Sequence, residues 1–200
     1  MTDRTTEATS ASIPGHFGPA PAGVTLAETA FAAAWNIQGD PARAPFANEA
    51  RRLFGVALPS VPNTTVRRAA LTALWLGPTS WLLVATDASA LTAFAAQKDA
   101  VNAAGGALFD VTASSLAWTV GGPRAATVLA KQCPLDFHLR AFAEGTCAQS
   151  VLGHVNALFY RRDLSSFTVV IARSYARGVW RTLCQSAAQY GYDVVPAQPF

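Results

Sequence analysis

A chain of 200 residues with 51% hydrophobic side chains is long and apolar enough to bury a sizeable core, which excludes a disordered or fibrous protein. Fifteen basic against twelve acidic residues leave a formal net charge of only +3, and charged residues make up 14% of the chain, so the field needed to hold nucleic acid or an anionic membrane is excluded. Low charge beside abundant apolar residues points instead to a surface partly covered by another protein. Cys133, Cys147 and Cys184 are odd in number and widely spaced, and no charged-then-apolar leader opens the sequence, so a reducing cytoplasmic setting is expected.

Residues 1–23 are rich in Thr, Ser, Ala, Pro and Gly, and a flexible N-terminal arm is expected there, with His16 carrying no signal. From Val24 the pattern changes. Ala33 to Ile37 reads as a strand, Gly39-Asp40-Pro41 as a turn and Ala47 to Phe54 as a short helix. The longest uncharged run, Ala69 to Thr86, is interrupted by Gly77-Pro78-Thr79-Ser80, so it reads as a hairpin of Leu71–Leu76 and Trp81–Ala85 rather than a membrane span. Asp87 or Ser89 can cap a following helix that carries Leu91, Phe94, Ala95 and Val101 on one face.

Beyond Gly105-Gly106, Leu116, Trp118 and Val120 alternate as a half-buried strand does. Gly121-Gly122-Pro123 breaks that period, and a helix is expected from near Pro123 to Cys133-Pro134. A glycine turn before a helix can cradle a phosphate, with Arg124 adding a formal charge. The three spaced glycines and later acid of a dinucleotide site are not present, so a packed strand-to-helix connection is the preferred reading. Ala176, Val179, Trp180, Leu183, Ala187 and Tyr190 then form an apolar stripe on a helix from Tyr175 to Tyr190, stopped by Gly191.

The order of elements recurs. Ala34 to Gly39 parallels Ala117 to Gly122, Leu76-Gly77 parallels Leu152-Gly153, and the strand Trp81–Ala85 parallels Phe167–Ala172, each of the last two leading into a helix. A single domain over 24–200, built of two units at about 24–104 and 105–195, is therefore expected. Its class is α+β, with antiparallel sheets favoured over a parallel doubly wound one.

Candidate chemistry concentrates between Asp110 and Gln149. Cys133, Asp136 and His138 lie close in sequence, as a thiol and its base must, yet a buried small cysteine beside turn-forming Asp and His is the simpler reading. The spacings of Cys133, His138, Cys147 and His154 match no compact zinc-ligand pair. Asp110 is the best-placed acid, with a cap or turn role as its alternative.

Asp110-Val111-Thr112, followed by Leu116 to Ala125 with Gly122, Pro123 and Arg124, resembles the folate-binding domain of the glycine-cleavage T-protein, although Ala113 stands where that pattern commonly has histidine. The continuation through Cys133, Pro134, Leu135, Asp136, Arg140, Phe142, Cys147, Ala148 and Gln149 is similar to the gamma subunits of heterotetrameric sarcosine oxidases. The resemblance implies duplicated α+β units that exchange their first strands. It implies alpha, beta and delta subunits as partners, with FAD, FMN, NAD, tetrahydrofolate and zinc held there and none in this chain. It further implies an assembly role in oxidising sarcosine to glycine, with the one-carbon unit passed to tetrahydrofolate and hydrogen peroxide released. The alternative is a free-standing folate-binding, one-carbon-transfer protein, for which Asp110 is the folate-site candidate.

Overall fold

The computed structural model describes residues 13–87 and 94–200. The first half of the chain runs β1 (Gly15–Phe17), β2 (Val24–Ala30), β3 (Ala33–Gln38), α1 (Ala44–Phe54), β4 (Thr65–Arg68), β5 (Leu71–Gly77), β6 (Ser80–Ala85) and α2 (Phe94–Ala103). The second runs β7 (Ala107–Asp110), β8 (Ser115–Gly121), α3 (Ala125–Ala130), β9 (Cys147–Leu152), β10 (Val155–Arg161), β11 (Ser166–Ala172), α4 (Ala176–Ala187), β12 (Tyr192–Val194) and β13 (Gln198–Pro199).

Two sheets result. The smaller has the order β4-β5-β6-β3-β7 and is antiparallel throughout. The larger has the order β1-β12-β2-β8-β11-β10-β9, with β13 also on β2, and is antiparallel apart from β12 and β13, which run parallel to β2. Stripped of its short terminal strands, the larger sheet reads β2-β8-β11-β10-β9, the order of the smaller one read backwards. The first strand of each half has crossed over: β2 pairs with β8 of the second half, and β7 pairs with β3 of the first. The expected strand exchange is thus present, and it ties the halves together through backbone hydrogen bonds.

Period-two alternation sorts the strand residues into layers. On β3, Trp35 and Ile37 pack beneath α1 and α2 with Phe46, Phe54 and Val101, whereas Ala34 faces the other sheet. On β8 and β11, Leu116, Trp118, Val169 and Ile171 face α3 and α4, whereas Ala117 and Val170 face inward. A third cluster, including Leu74, Leu82, Leu158 and Tyr160, fills the space between the sheets. The order is helices, sheet, sheet, helices.

The expected stripe on α4 is buried, and Trp180 lies 4.5 Å from Trp118 between ring centroids. Gly191 ends that region at φ +65, where a Cβ would collide with the Pro19 carbonyl oxygen. A side chain there would push the N-terminal segment off the sheet. On α1, Phe46, Ala50 and Phe54 fall at i, i+4 and i+8 on the buried face, Gly55 supplies a left-handed C-cap, and Arg51 and Arg52 in the last turn complement the helix dipole.

Several boundaries differ from expectation. α1 starts at Ala44, because Asp40 caps the preceding turn through the Ala42 N–H and Pro45 suits the first helical turn. α3 starts at Ala125, since Pro123 and Arg124 are used in a turn, and it stops at Ala130, short of Cys133-Pro134. Tyr175 and Tyr190 belong to 3-10 turns flanking α4. The parallel between Leu76-Gly77 and Leu152-Gly153 is overturned. Gly77 ends β5 before the β5–β6 turn, whose counterpart joins β10 to β11, whereas Gly153 joins β9 to β10; two short glycine-containing hairpins look alike in sequence wherever they fall.

Of the expected arm, residues 1–12 lie outside the described residues, as do Ser89 and Leu91 of the α2 expectation. Ile13 to Gly23 runs along the larger sheet. Gly15–Phe17 pairs with Tyr192–Val194, Phe17 stacks on Tyr192, and His16 Nδ1 lies 2.7 Å from Asp193 Oδ1. Among the described residues no helix is long and apolar enough to cross a membrane.

Candidate functional site

Asp110 and Thr112 sit where the chain leaves β7 in one sheet for β8 in the other. The Thr112 backbone N–H donates to Asp110 Oδ1 at 2.9 Å, closing a turn. Thr112 Oγ1 accepts from the Ala34 N–H at 2.9 Å and donates to the Ala34 carbonyl at 3.2 Å. This pair clamps the crossover onto β3. Asp110 is exposed at the sheet edge, spending one carboxylate oxygen on the turn.

Gly122 has φ +100, and a Cβ there would meet the Gly23 carbonyl oxygen at 2.8 Å. The Arg124 N–H donates to that same carbonyl at 3.0 Å. The donor that a phosphate would need is therefore spent on the entry to β2, and the turn is the packed connection. The Arg124 guanidinium stacks over the Tyr190 ring at 5.5 Å.

The connection from α3 to β9, residues 131–146, is irregular yet firmly anchored. Phe137 and Phe142 insert beneath the larger sheet, with Phe137 5.3 Å from Phe159 and 5.4 Å from Phe167. Arg161 is only 3% exposed; its Nη2 donates to the Phe137 carbonyl at 2.6 Å, its Nη1 to Leu164 O at 2.8 Å, and its guanidinium covers the Phe167 ring at 4.5 Å. Burial pushes its pKa down, yet an arginine starts so high that it stays charged. A buried cation holding an irregular loop by its carbonyls is the least expected feature of the region. Sequence reasoning missed Arg161, because RRD at a strand end looks like any exposed turn.

Asp136 and His138 serve the same connection. Asp136 Oδ1 accepts from the His138 N–H at 2.8 Å, and His138 Nδ1 accepts from the Arg140 N–H at 3.2 Å. Cys133 is buried among the residues under α3 and α4, whereas Cys147 is buried between the sheets, so the larger sheet separates the two thiols. Burial raises the Cys147 pKa to about 12, against a weak hydrogen bond to the Trp75 carbonyl at 3.4 Å. A thiol held so high is a poor nucleophile and a poor metal ligand. Among the described residues no three His, Cys, Asp or Glu side chains converge as metal ligands, and His154 sits exposed in the β9–β10 turn.

Two concavities involve candidate residues. Leu135, Asp136, Phe142 and Ala148 meet Pro62, Asn63 and Thr64 around a depression of about 250 Å³, where the two halves' equivalent connections touch through the Thr64–Thr146 bridge. The exposed Pro134 and Arg140 lie on the same connection. A larger cleft of about 780 Å³ opens between the sheets. Amides of Asn36, Gln149 and Asn156 and hydroxyls of Ser114 and Ser115 line it among aliphatic side chains. The Gln149 amide is held by the Leu76 carbonyl at 2.6 Å, and the Asn36 amide by Ser80 Oγ at 2.9 Å. No described ionisable side chain lines this cleft, so its chemistry is hydrogen bonding and apolar contact rather than proton transfer.

Comparison with known proteins agrees with the topology. A chain of the heterotetrameric sarcosine oxidase from Corynebacterium sp. U-96, solved in complex with pyrrole 2-carboxylate, is similar with a TM-score of 0.73 and 27% identity, covering 84% of this chain and 85% of that one. Glycine cleavage system aminomethyltransferase T from Bartonella henselae has a TM-score of 0.64 at 15% identity over 94% of this chain and 56% of its own, a likeness of fold alone. The sarcosine oxidase subunit gamma of an Arthrobacter sp. is 33% identical over 151 residues, 74% of this chain and 71% of that protein. That of Corynebacterium sp. strain P-1 is 28% identical over 182 residues, 86% and 84% of the two chains. The family model described as "Sarcosine oxidase, gamma subunit family" matches residues 38–189. This chain belongs to the sarcosine oxidase gamma subunit family.

Proposed function

We propose that this chain is a non-catalytic assembly subunit of a heterotetrameric sarcosine oxidase. Alpha, beta and delta subunits would hold FAD, FMN, NAD, tetrahydrofolate and zinc, and would convert sarcosine to glycine with release of hydrogen peroxide. The observation that carries the non-catalytic role is the state of the reactive side chains. The Cys147 thiol is pushed up to about 12, Asp136 and His138 are spent on turn N–H groups, and the large cleft offers amides and hydroxyls instead of an acid and a base. Family membership supports the oxidase context. Purification through a tag on this chain from its own cells tests the reading: a yellow eluate carrying the companion subunits supports it, and a colourless lone chain overturns it.

The cleft volume favours a second reading, since about 780 Å³ is ample for a small molecule. A folate held there by Asn36, Gln149 and Asn156 would make this a folate-binding protein. Calorimetric titration of the lone chain with a reduced folate decides it, and no heat at high concentration rejects it.

A further inference from the structure

The two helical layers differ in charge. Over the smaller sheet, α1 pairs Arg52 with Glu49 at 2.6 Å and leaves Arg51 exposed, and α2 places Asp99 beside Lys98. Over the larger sheet, the α3 and α4 region carries Arg124, Lys131, Arg173, Arg177 and Arg181, all exposed. No acidic residue occurs from Val111 to Leu135 or from Leu164 to Tyr192. Five positive charges against a formal net charge of +3 leave −2 summed over the rest of the chain.

The arrangement is unfavourable within the chain. Arg177 lies in the first turn of α4, where the helix dipole repels a cation, and Arg181 is its like-charged i+4 neighbour. Neither makes a hydrogen bond or ion pair among the described residues. Gly178 stands between them on the same outward face, in a helix interior where glycine is unfavourable, and a Cβ added there would meet nothing within 4 Å. Among the described residues nothing calls for that glycine, whereas a partner's backbone approaching the helix would. Tyr175, 54% exposed, completes the patch, and arginine and tyrosine are the residue types that anchor protein interfaces. The other cations are held in place: Lys131 Nζ donates to the Ser186 carbonyl at 2.6 Å, and Arg173 to Ala113 and Ser115 carbonyls.

We propose that the α3/α4 face, centred on Tyr175, Arg177, Gly178 and Arg181, docks onto an acidic protein surface of a companion subunit, with Gly178 admitting its backbone. This rests on the assembly role proposed above. A polyanion or anionic membrane is the lesser fit, because the remaining chain is net negative and five charges make a weak field.

The test is the assembled oxidase, purified through a tag on this chain carrying Arg177→Glu/Arg181→Glu or, separately, Gly178→Ala. Both variants should keep wild-type circular dichroism, and Gly178→Ala should raise the lone chain's thermal midpoint. Each should nevertheless weaken association with the companion subunits, the charge reversal by about 100-fold, with wild-type association falling as salt rises. Wild-type association of both folded variants overturns the docking face, as does binding of the wild-type chain to duplex DNA or anionic vesicles with subunit association unchanged. Failure of the wild-type chain itself to associate overturns the assembly role.

Discussion

The connection from α1 to β4 and that from α3 to β9 occupy equivalent places in the two halves, yet they are built differently. Residues 55–64 leave α1 through Gly55 and pass Pro59 and Pro62, with Val61 pointing outward at 61% exposure. Residues 131–146 are longer, and they drive Phe137 and Phe142 into the core while a buried arginine grips their backbone. The difference teaches that duplicated topology does not mean duplicated energetics. The first connection gives the core Val56 and a carbonyl for Trp81, whereas the second gives it two aromatic rings, and the stretch that resembles the oxidase subunits runs through the second.

Phe137→Ala is the strongest way to break that contrast. It removes a buried ring touching Phe142, Phe159 and Phe167, so a loss of about 3–5 kcal/mol in denaturant unfolding is expected. Val61→Ala, on the other connection, should stay within about 0.5 kcal/mol. Equal losses at the two sites would erase the distinction. Next comes Arg161→Met, which keeps the stem but strands the Phe137 and Leu164 carbonyls; about 2–3 kcal/mol is expected in the same measurement.

Gly122→Ala probes the strand exchange rather than the loop. A Cβ in a left-handed backbone against the Gly23 carbonyl should cost about 2 kcal/mol and speed hydrogen exchange in β2 before that in β3. The Cys147 thiol, held near 12, should ignore an aromatic disulfide reagent at pH 8 until the chain unfolds, followed by absorbance. Fast labelling of Cys147 in the native chain would show that the sheets part easily.

The smallest effect concerns β1. The hydrogen bond to Asp193 holds the His16 pKa above its ordinary value near 6.5. A raised pKa means that the contribution is fully present below about pH 6.5 and is lost as pH rises through the folded-state value. Thermal midpoints should therefore fall slightly above that pH in the wild-type chain, with the step missing in Asp193→Asn. A proton resonance of His16 titrating at its ordinary value would dismiss the contact.

What was legible in the sequence was local. Trp35 and Ile37 on β3, Leu116, Trp118 and Val120 on β8, and the α4 stripe declare themselves by period, because one face of each is buried under helices. The exchange of β2 and β7 came only through the family resemblance, since spacing within the chain cannot say which sheet a strand joins. β9 and β10 went unread: Cys147-Ala148-Gln149-Ser150 mixes small and polar residues because its inward face meets the cleft. The C-terminal tail was equally silent, although Phe200 is buried between the sheets and stacked on Tyr160. Asp136 and His138 each accept from a nearby backbone N–H, and Cys133 packs among apolar neighbours. Arg161 was missed because its carbonyl partners at Phe137 and Leu164 lie across a loop closure that sequence does not display.

The assembly role stands or falls on one comparison: the half-life of sarcosine-dependent peroxide production by the companion subunits, co-expressed with and without this chain. The account predicts that without it the remaining subunits fail to assemble or lose activity at least about tenfold faster on warming, whereas turnover per intact complex is set elsewhere. Companion subunits that assemble fully and hold their activity as long in its absence would contradict it.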